Sequence, residues 1–122
     1  LNDVKYSFNS YTMNATAIRL GTAALSDDAY FEETCARIIA TRERTKQELA
    51  ALGFTFADSF ANFVFASHER VLAKELFEAL REAGIYVRYF NKPRIDNYLR
   101  ITIGTDEEMD RLFAFLREYL KK

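Results

Sequence analysis

The chain contains very little cysteine, histidine, proline or glycine, and these shortages narrow what it can do. Its 122 residues include one cysteine, one histidine, one proline and four glycines. A single cysteine, Cys35, cannot form an intramolecular disulfide, so we expect a reducing compartment, the cytoplasm. His68 has no second histidine and no paired cysteine at ligand spacing, which argues against a metal site. The glycines form neither a phosphate-binding loop nor a nucleophile elbow.

Charge and hydropathy exclude two further classes of partner. The 17 basic and 18 acidic residues give a formal net charge of −1, which is not the basic footprint of a nucleic-acid binder. No apolar run reaches the length of a membrane span, and the opening residues lack the pattern of a secretory leader. We therefore expect no nucleic-acid partner and no membrane. With 49% hydrophobic residues, the chain has enough core material for one folded domain.

Hydrophobic periodicity and turn residues predict a mixture of helices and strands. The predicted elements, in order, are a short buried helix over 12–25, a helix over 26–52 ended by Gly53, strands over 54–56 and 61–66, a helix over 70–83 ended by Gly84, a strand over 85–90, a loop over 91–97, a strand around Arg100 and a final helix. The charged stretch 42–48 is expected to be solvent-exposed. This order predicts an α+β fold, a small, largely antiparallel four-stranded sheet with helices packed on one side.

The stretch 98–108 is the most informative part of the sequence. Apolar residues alternate at 99, 101 and 103 and share one face of a strand, whereas Arg100 lies on the other face. Gly104 supplies a turn, and Thr105 precedes Glu108 by three residues, the spacing of a capping box. A permanently charged side chain is thus placed on a rigid strand beside a helix start, which suits anion binding. The alternative is an arginine on the solvated face of a sheet.

Arg88 is a candidate companion to Arg100. Ile85, Val87 and Tyr89 share one face of the preceding strand, so Arg88 lies on the opposite face. If the two strands are neighbours, both guanidinium groups converge on one anion, although the sequence does not fix the register. Two positive charges suit a phosphate, with its two negative charges and several acceptor oxygens.

The sequence Leu-Arg-Ile-Thr-Ile-Gly-Thr-Asp-Glu-Glu at 99–108 resembles the signature of histidinol-phosphate aminotransferases. Four other segments, 5–11, 37–44, 61–65 and 84–88, follow that family's order and spacing. The resemblance covers the whole chain but only the last third of such an enzyme, and with Leu1 at the start it favours an excised domain. It implies that residues 1–122 are the C-terminal small domain of a fold-type I aminotransferase, with 1–11 as a lead-in segment from a missing large domain.

The resemblance also implies roles for individual residues. Arg100 matches the arginine that holds the substrate phosphate, and Arg88 matches a second basic position near the same anion. Asn9 and Tyr11 fall near the domain junction, as residues that support the site without touching the substrate. None of the six lysines follows a serine in the family's Ser-Lys pattern. Pyridoxal 5′-phosphate is therefore expected in the full-length enzyme but not in this chain, which should contain no catalytic residue and be inactive alone.

The activity implied by the resemblance converts histidinol phosphate and 2-oxoglutarate to imidazole-acetol phosphate and glutamate, in histidine biosynthesis. It also implies a cytoplasmic homodimer whose substrate is a phosphorylated amine. One alternative is a sister aminotransferase or decarboxylase with a carboxylated substrate, because a carboxylate also satisfies the arginine. Another is a free-standing ligand-binding regulatory module. An RNA-binding module is weaker still, because the aromatic strands are interpreted as facing the core.

Overall fold

The structure, a computed structural model, describes residues 2–3 and 13–121 of the chain. Its contacts divide the chain into two units, Leu1–Cys35 and Ala36–Lys122, and each is described by itself. The elements, in chain order, are α1 (Ala15–Leu25), α2 (Asp28–Ala51), β1 (Phe54–Phe56), β2 (Phe63–His68), α3 (Ala73–Glu82), β3 (Arg88–Tyr89), β4 (Leu99–Thr102) and α4 (Asp106–Tyr119).

The four strands form one sheet in the order β1-β2-β4-β3, and every neighbouring pair is antiparallel. One face of this sheet is apolar, because Val64 and Ala66 of β2 and Leu99 and Ile101 of β4 alternate onto it and are buried. Helical side chains complete the core on that face. They are Leu49, Leu76, Leu80, Met109, Leu112, Phe113 and Leu116. The predicted α+β fold, with its antiparallel four-stranded sheet and helices on one side, is confirmed.

The predicted helix ends are confirmed where glycine sets them. Gly53 and Gly84 follow α2 and α3 with φ angles of 85° and 72°, the left-handed conformation that ends a helix without strain when the residue is glycine. The third strand is shorter than predicted. Of residues 85–90, which alternate between apolar and other residues, only Arg88 and Tyr89 pair with β4.

The first helix is present, but its predicted burial is wrong. Asn14 caps α1 by accepting a hydrogen bond from the Ala17 amide at 2.8 Å. No residue of α1 is buried, and Ile18, Leu20 and Leu25 are each more than half exposed. The apolar composition of a segment indicates a preference for burial but does not identify what covers it.

The predicted exposure of the charged stretch 42–48 is also wrong. Arg42 is only 7% exposed and Thr45 is fully buried, next to the core residue Leu49. Arg42 donates hydrogen bonds to the Glu43 carboxylate at 3.1 Å and to the Ala61 carbonyl oxygen at 3.3 Å. These partners offset the cost of removing the guanidinium from water, which the residue types alone do not indicate.

Candidate functional site

The sheet face opposite the helices carries aromatic and cationic side chains. We call it the outer face and define it by Phe63 and Phe65 on β2, Arg88 and Phe90 on or beside β3, and Tyr98 and Arg100 on or beside β4. These residues alternate with buried or partly buried residues in or beside the same strands, so strand geometry directs them away from the helices. All six are half-buried except Arg88, which is exposed.

The two arginines lie directly opposite each other. Arg88 and Arg100 are Cα partners in the β3–β4 ladder, and Phe65 is the partner of Arg100 on the other side. Directly opposed residues of antiparallel strands point to the same face with neighbouring Cβ atoms. The register that the sequence left open thus places both guanidinium-bearing side chains on the outer face. Like charges opposed in this way repel each other unless an anion lies between them.

Arg100 has no polar partner among the residues that the structure describes. Its Nε is buried and forms no hydrogen bond within the described part of the chain. Its guanidinium carbon lies 5.6 Å from the centroid of the Phe63 ring, within cation–π distance. An unpaired buried donor costs about 1–3 kcal/mol, so the fold places this guanidinium here at a cost to its own stability.

Arg88 has the same kind of surroundings. Its guanidinium carbon lies 5.4 Å from the Phe90 ring centroid. Across residues 13–121, no carboxylate forms an ion pair with Arg88 or Arg100, although other arginines of the same unit do. Both positive charges on the outer face thus lack a carboxylate partner within this part of the chain.

Three aromatic rings of the outer face contact one another. Phe65 stacks on Tyr98 with ring centroids 4.8 Å apart and meets Phe90 edge to face at 6.0 Å. The Phe90 ring beside Arg88 thus belongs to a packed aromatic layer with Phe65 and Tyr98. The interpretation of the aromatic strands as facing the core is wrong for Phe63 and Phe65. Buried Val64 and Ala66, which alternate with them, were the signal that places these rings on the outer face.

The helix start after β4 is confirmed but does not add an anion site. Thr105 accepts a hydrogen bond from the Glu108 amide at 3.3 Å, and the Glu108 carboxylate accepts one from the Thr105 amide at 2.8 Å. This is the predicted capping box. A side chain at Gly104 would displace the Glu108 carboxylate from its position in the capping box. The Thr105 and Glu108 amides at the start of α4 thus bond within the chain.

Other candidate residues have structural surroundings. His68 is buried, where Nε2 donates to the Leu52 carbonyl oxygen at 3.2 Å and Nδ1 accepts from the Arg70 amide at 3.2 Å. Cys35 is half-buried. Among the described residues there is no cluster of metal-ligating side chains and no helix long and apolar enough to cross a membrane. Asn9 and Tyr11 lie outside the described residues.

Comparison with known proteins agrees with the resemblance seen in the sequence. The family described as "Aminotransferase class I and II" matches residues 1–116. The histidinol-phosphate aminotransferase of Lactococcus lactis subsp. lactis (strain IL1403) is 54% identical over 122 residues, which are 100% of this chain and 34% of that protein. This chain thus spans about a third of the length of the curated relatives it matches.

Solved structures share the fold. The histidinol-phosphate aminotransferase from Sinorhizobium meliloti in complex with pyridoxal-5′-phosphate has a TM-score of 0.83 and 25% identity over 98% of this chain and 33% of that one. A decarboxylase from Sulfurospirillum multivorans has a TM-score of 0.78 and 26% identity over 90% of this chain and 33% of that one. From the match over residues 1–116, we conclude that the chain belongs to the class I and II aminotransferase family.

Proposed function

We propose that the chain is the small domain of a pyridoxal-phosphate-dependent histidinol-phosphate aminotransferase, in which Arg100 and Arg88 bind the substrate phosphate. The observation that carries the proposal is their direct opposition on the outer face, with no carboxylate partner for either among the described residues. Identity to curated histidinol-phosphate aminotransferases over the whole chain supports the choice of substrate. The parent enzyme would be a cytoplasmic homodimer with a large domain that precedes this chain.

A phosphate fits this pair better than a single negative charge does. It presents about two negative charges and enough acceptor oxygens for both guanidinium forks. It would relieve the repulsion between Arg88 and Arg100 and accept hydrogen bonds from their guanidinium groups. Held at that end, the substrate amine is oriented for reaction, which contributes to catalysis beyond simple binding.

The described lysines do not fit the covalent site that pyridoxal phosphate needs. Lys46 forms ion pairs with Glu43 and Asp58, and Lys121 pairs with Glu118. Lys74 and Lys92 are exposed. We therefore assign no chemical step to this chain and propose that the cofactor binds in the large domain. An assay of the chain by itself should detect no transamination.

The decisive experiment is Arg100→Ala in the full-length enzyme, assayed with histidinol phosphate and with unphosphorylated histidinol. Losing one partner of a desolvated charge pair costs about 2–5 kcal/mol. The value of kcat/KM for the phosphorylated substrate should therefore fall by the factor that corresponds to this free energy. The rate with histidinol should change little. An unchanged preference for the phosphorylated amine would remove Arg100 from this role.

Arg81→Ala is the matched control. Arg81 also rests over a phenylalanine ring, 5.7 Å from the Phe77 centroid, but it belongs to α3 and is not part of the outer face. Its removal should leave the preference for phosphate intact. Equal losses in both variants would indicate a nonspecific effect of reduced positive charge.

A sister enzyme with a carboxylated substrate is the second candidate. The similar fold of a decarboxylase supports it, because the same small-domain architecture occurs in that protein. Competition between phosphorylated and carboxylated substrates in the full-length enzyme separates the two, since tighter binding of the carboxylate would favour this candidate. The free-standing regulatory module remains a third prediction, which an upstream coding region for a cofactor domain would exclude.

A further inference from the structure

The contacts of Arg100 raise the question of what orients its side chain. A guanidinium with no hydrogen bond samples many rotamers, and a ligand must then restrict them. Within the described residues, the Arg100 guanidinium lies over the face of the Phe63 ring and forms no ion pair. Phe63 lies on β2 and pairs with Thr102, the residue two positions beyond Arg100. The ring therefore comes from a neighbouring strand and is independent of the arginine's own backbone.

We propose that Phe63 is a positioning residue for the anion site, because its ring holds the Arg100 guanidinium in the orientation that receives the phosphate. This inference rests on the proposed function and adds a residue to it. Phe90 contributes in the same way to Arg88, and Phe65 fixes Phe90 through its edge-to-face contact. Phenylalanine rings thus lie beside Arg88 and Arg100, whereas carboxylates lie beside an arginine such as Arg44.

An aromatic support has a chemical advantage over a carboxylate at this position. A carboxylate would orient the guanidinium but neutralise it and occupy its donors. The face of a phenyl ring attracts the cation through its quadrupole and accepts none of the N–H hydrogen bonds in the guanidinium plane. Arg100 therefore keeps its charge and its donors for the ligand while its orientation is restricted.

The test compares Phe63→Leu and Phe63→Tyr in the full-length enzyme with histidinol phosphate and histidinol as substrates. Leucine fills the site without a ring, so KM for histidinol phosphate should rise by about three- to thirtyfold, the equivalent of a cation–π contact, with little change in kcat. Tyrosine keeps the ring and should restore KM to within about threefold of the wild type. KM for histidinol should not change in either variant.

Phe60→Leu is the matched control for the loss of a ring. Phe60 lies three residues before Phe63, is 85% exposed, and has the Arg42 guanidinium 5.8 Å from its ring centroid. Because Arg42 is not on the outer face, this variant should leave KM for both substrates unchanged.

Arg100→Ala, measured in parallel, distinguishes a failure of the Phe63 proposal from a failure of the proposed function. If Arg100→Ala abolishes the preference for phosphate and Phe63→Leu does not alter it, the proposed function stands and the role of Phe63 is wrong. If Phe63→Leu affects both substrates equally, or Phe63→Tyr fails to restore KM, the ring is structural and the inference is overturned. If Arg100→Ala has no effect, the proposed function itself fails.

Discussion

Two pairs of arginines in the same folded unit have opposite surroundings. Arg42 and Arg44 of α2 each form several hydrogen bonds and at least one ion pair. Arg44 contacts Asp106 at 2.8 Å and Asp110 at 2.5 Å, and its guanidinium lies over the Phe113 ring at 5.4 Å. Arg88 and Arg100 on the outer face have aromatic rings beside them and no carboxylate partner in the described structure. All four belong to unit Ala36–Lys122, so the difference is local.

The partners of these side chains distinguish arginines that connect two elements of the fold from arginines that are placed to bind a ligand. The carboxylate partners of Arg44 lie on α4, and the carbonyl partner of Arg42 precedes β2, so each side chain ties α2 to another part of the unit. Those charges are neutralised within the fold. The outer-face charges have no carboxylate partner in the described ranges, so they can pair with an anion from outside.

Arg42→Met is expected to have the largest effect on stability. The substitution keeps an apolar stem but leaves the Ala61 carbonyl oxygen without its donor and removes the ion pair with Glu43. Hydrogen bonds to charged groups contribute about 1.5–3 kcal/mol, so urea denaturation should show a loss of this size. Arg111→Met, an exposed arginine of α4, is the control and should stay within about 0.5 kcal/mol of the wild type. Equal stability of the two variants would contradict the connecting role of Arg42.

Acid should weaken the contact between α2 and α4. A hydrogen bond from the Thr41 hydroxyl, and then the Arg44 guanidinium, hold the pKa of Asp106 below its ordinary value. A carboxylate with a lowered folded-state pKa contributes stability that is complete above the unfolded value of about 3.9 and is lost as the pH falls through the folded value.

Urea denaturation from pH 7 to pH 2 measures this contribution. Asp106→Asn should be less stable than the wild type at pH 7, and the difference should close below about pH 4. Thr41→Val should act in the same direction, because it removes the largest cause of the lowered pKa. A constant difference across the whole pH range would show that the carboxylate charge is not responsible.

Removing the outer-face charges should have the smallest effect on folding. Among the described residues Arg88→Met and Arg100→Met remove no ion pair, and the loss of each cation–π contact is offset by the loss of repulsion between the opposed charges. We expect the free energy of unfolding to stay within about 0.5 kcal/mol of the wild type or to rise slightly. A loss comparable to that of Arg42→Met would show that the outer-face arginines are structural and would remove the contrast between the two pairs.

Local sequence patterns were sufficient for the elements and for the capping box. Thr105 and Glu108 lie on one helical turn, so their spacing predicts a contact without knowledge of the fold. The alternation around Arg100 likewise predicts its face. These properties depend on residues close together in the chain, where backbone geometry alone determines the distances.

Long-range properties were not accessible in the same way. The pairing of Arg88 with Arg100 depends on register across a loop, and the burial of Arg42 depends on a carbonyl nineteen residues away. The aromatic layer was misinterpreted because phenylalanine content indicates hydrophobicity and not direction. Phe63 and Phe65 alternate with Val64 and Ala66, so they point away from the core once Val64 and Ala66 are known to face it.

The register of the β3–β4 hairpin also limits how this site can change. Side chains alternate between faces, so sliding β3 by one residue against β4 would turn Arg88 toward the helices and bring Val87 or Tyr89 opposite Arg100. Slippage by an odd number of residues would therefore bury a cation and halve the charge available to the phosphate. The loop over 91–97 can therefore change in length only if Arg88 stays opposite Arg100.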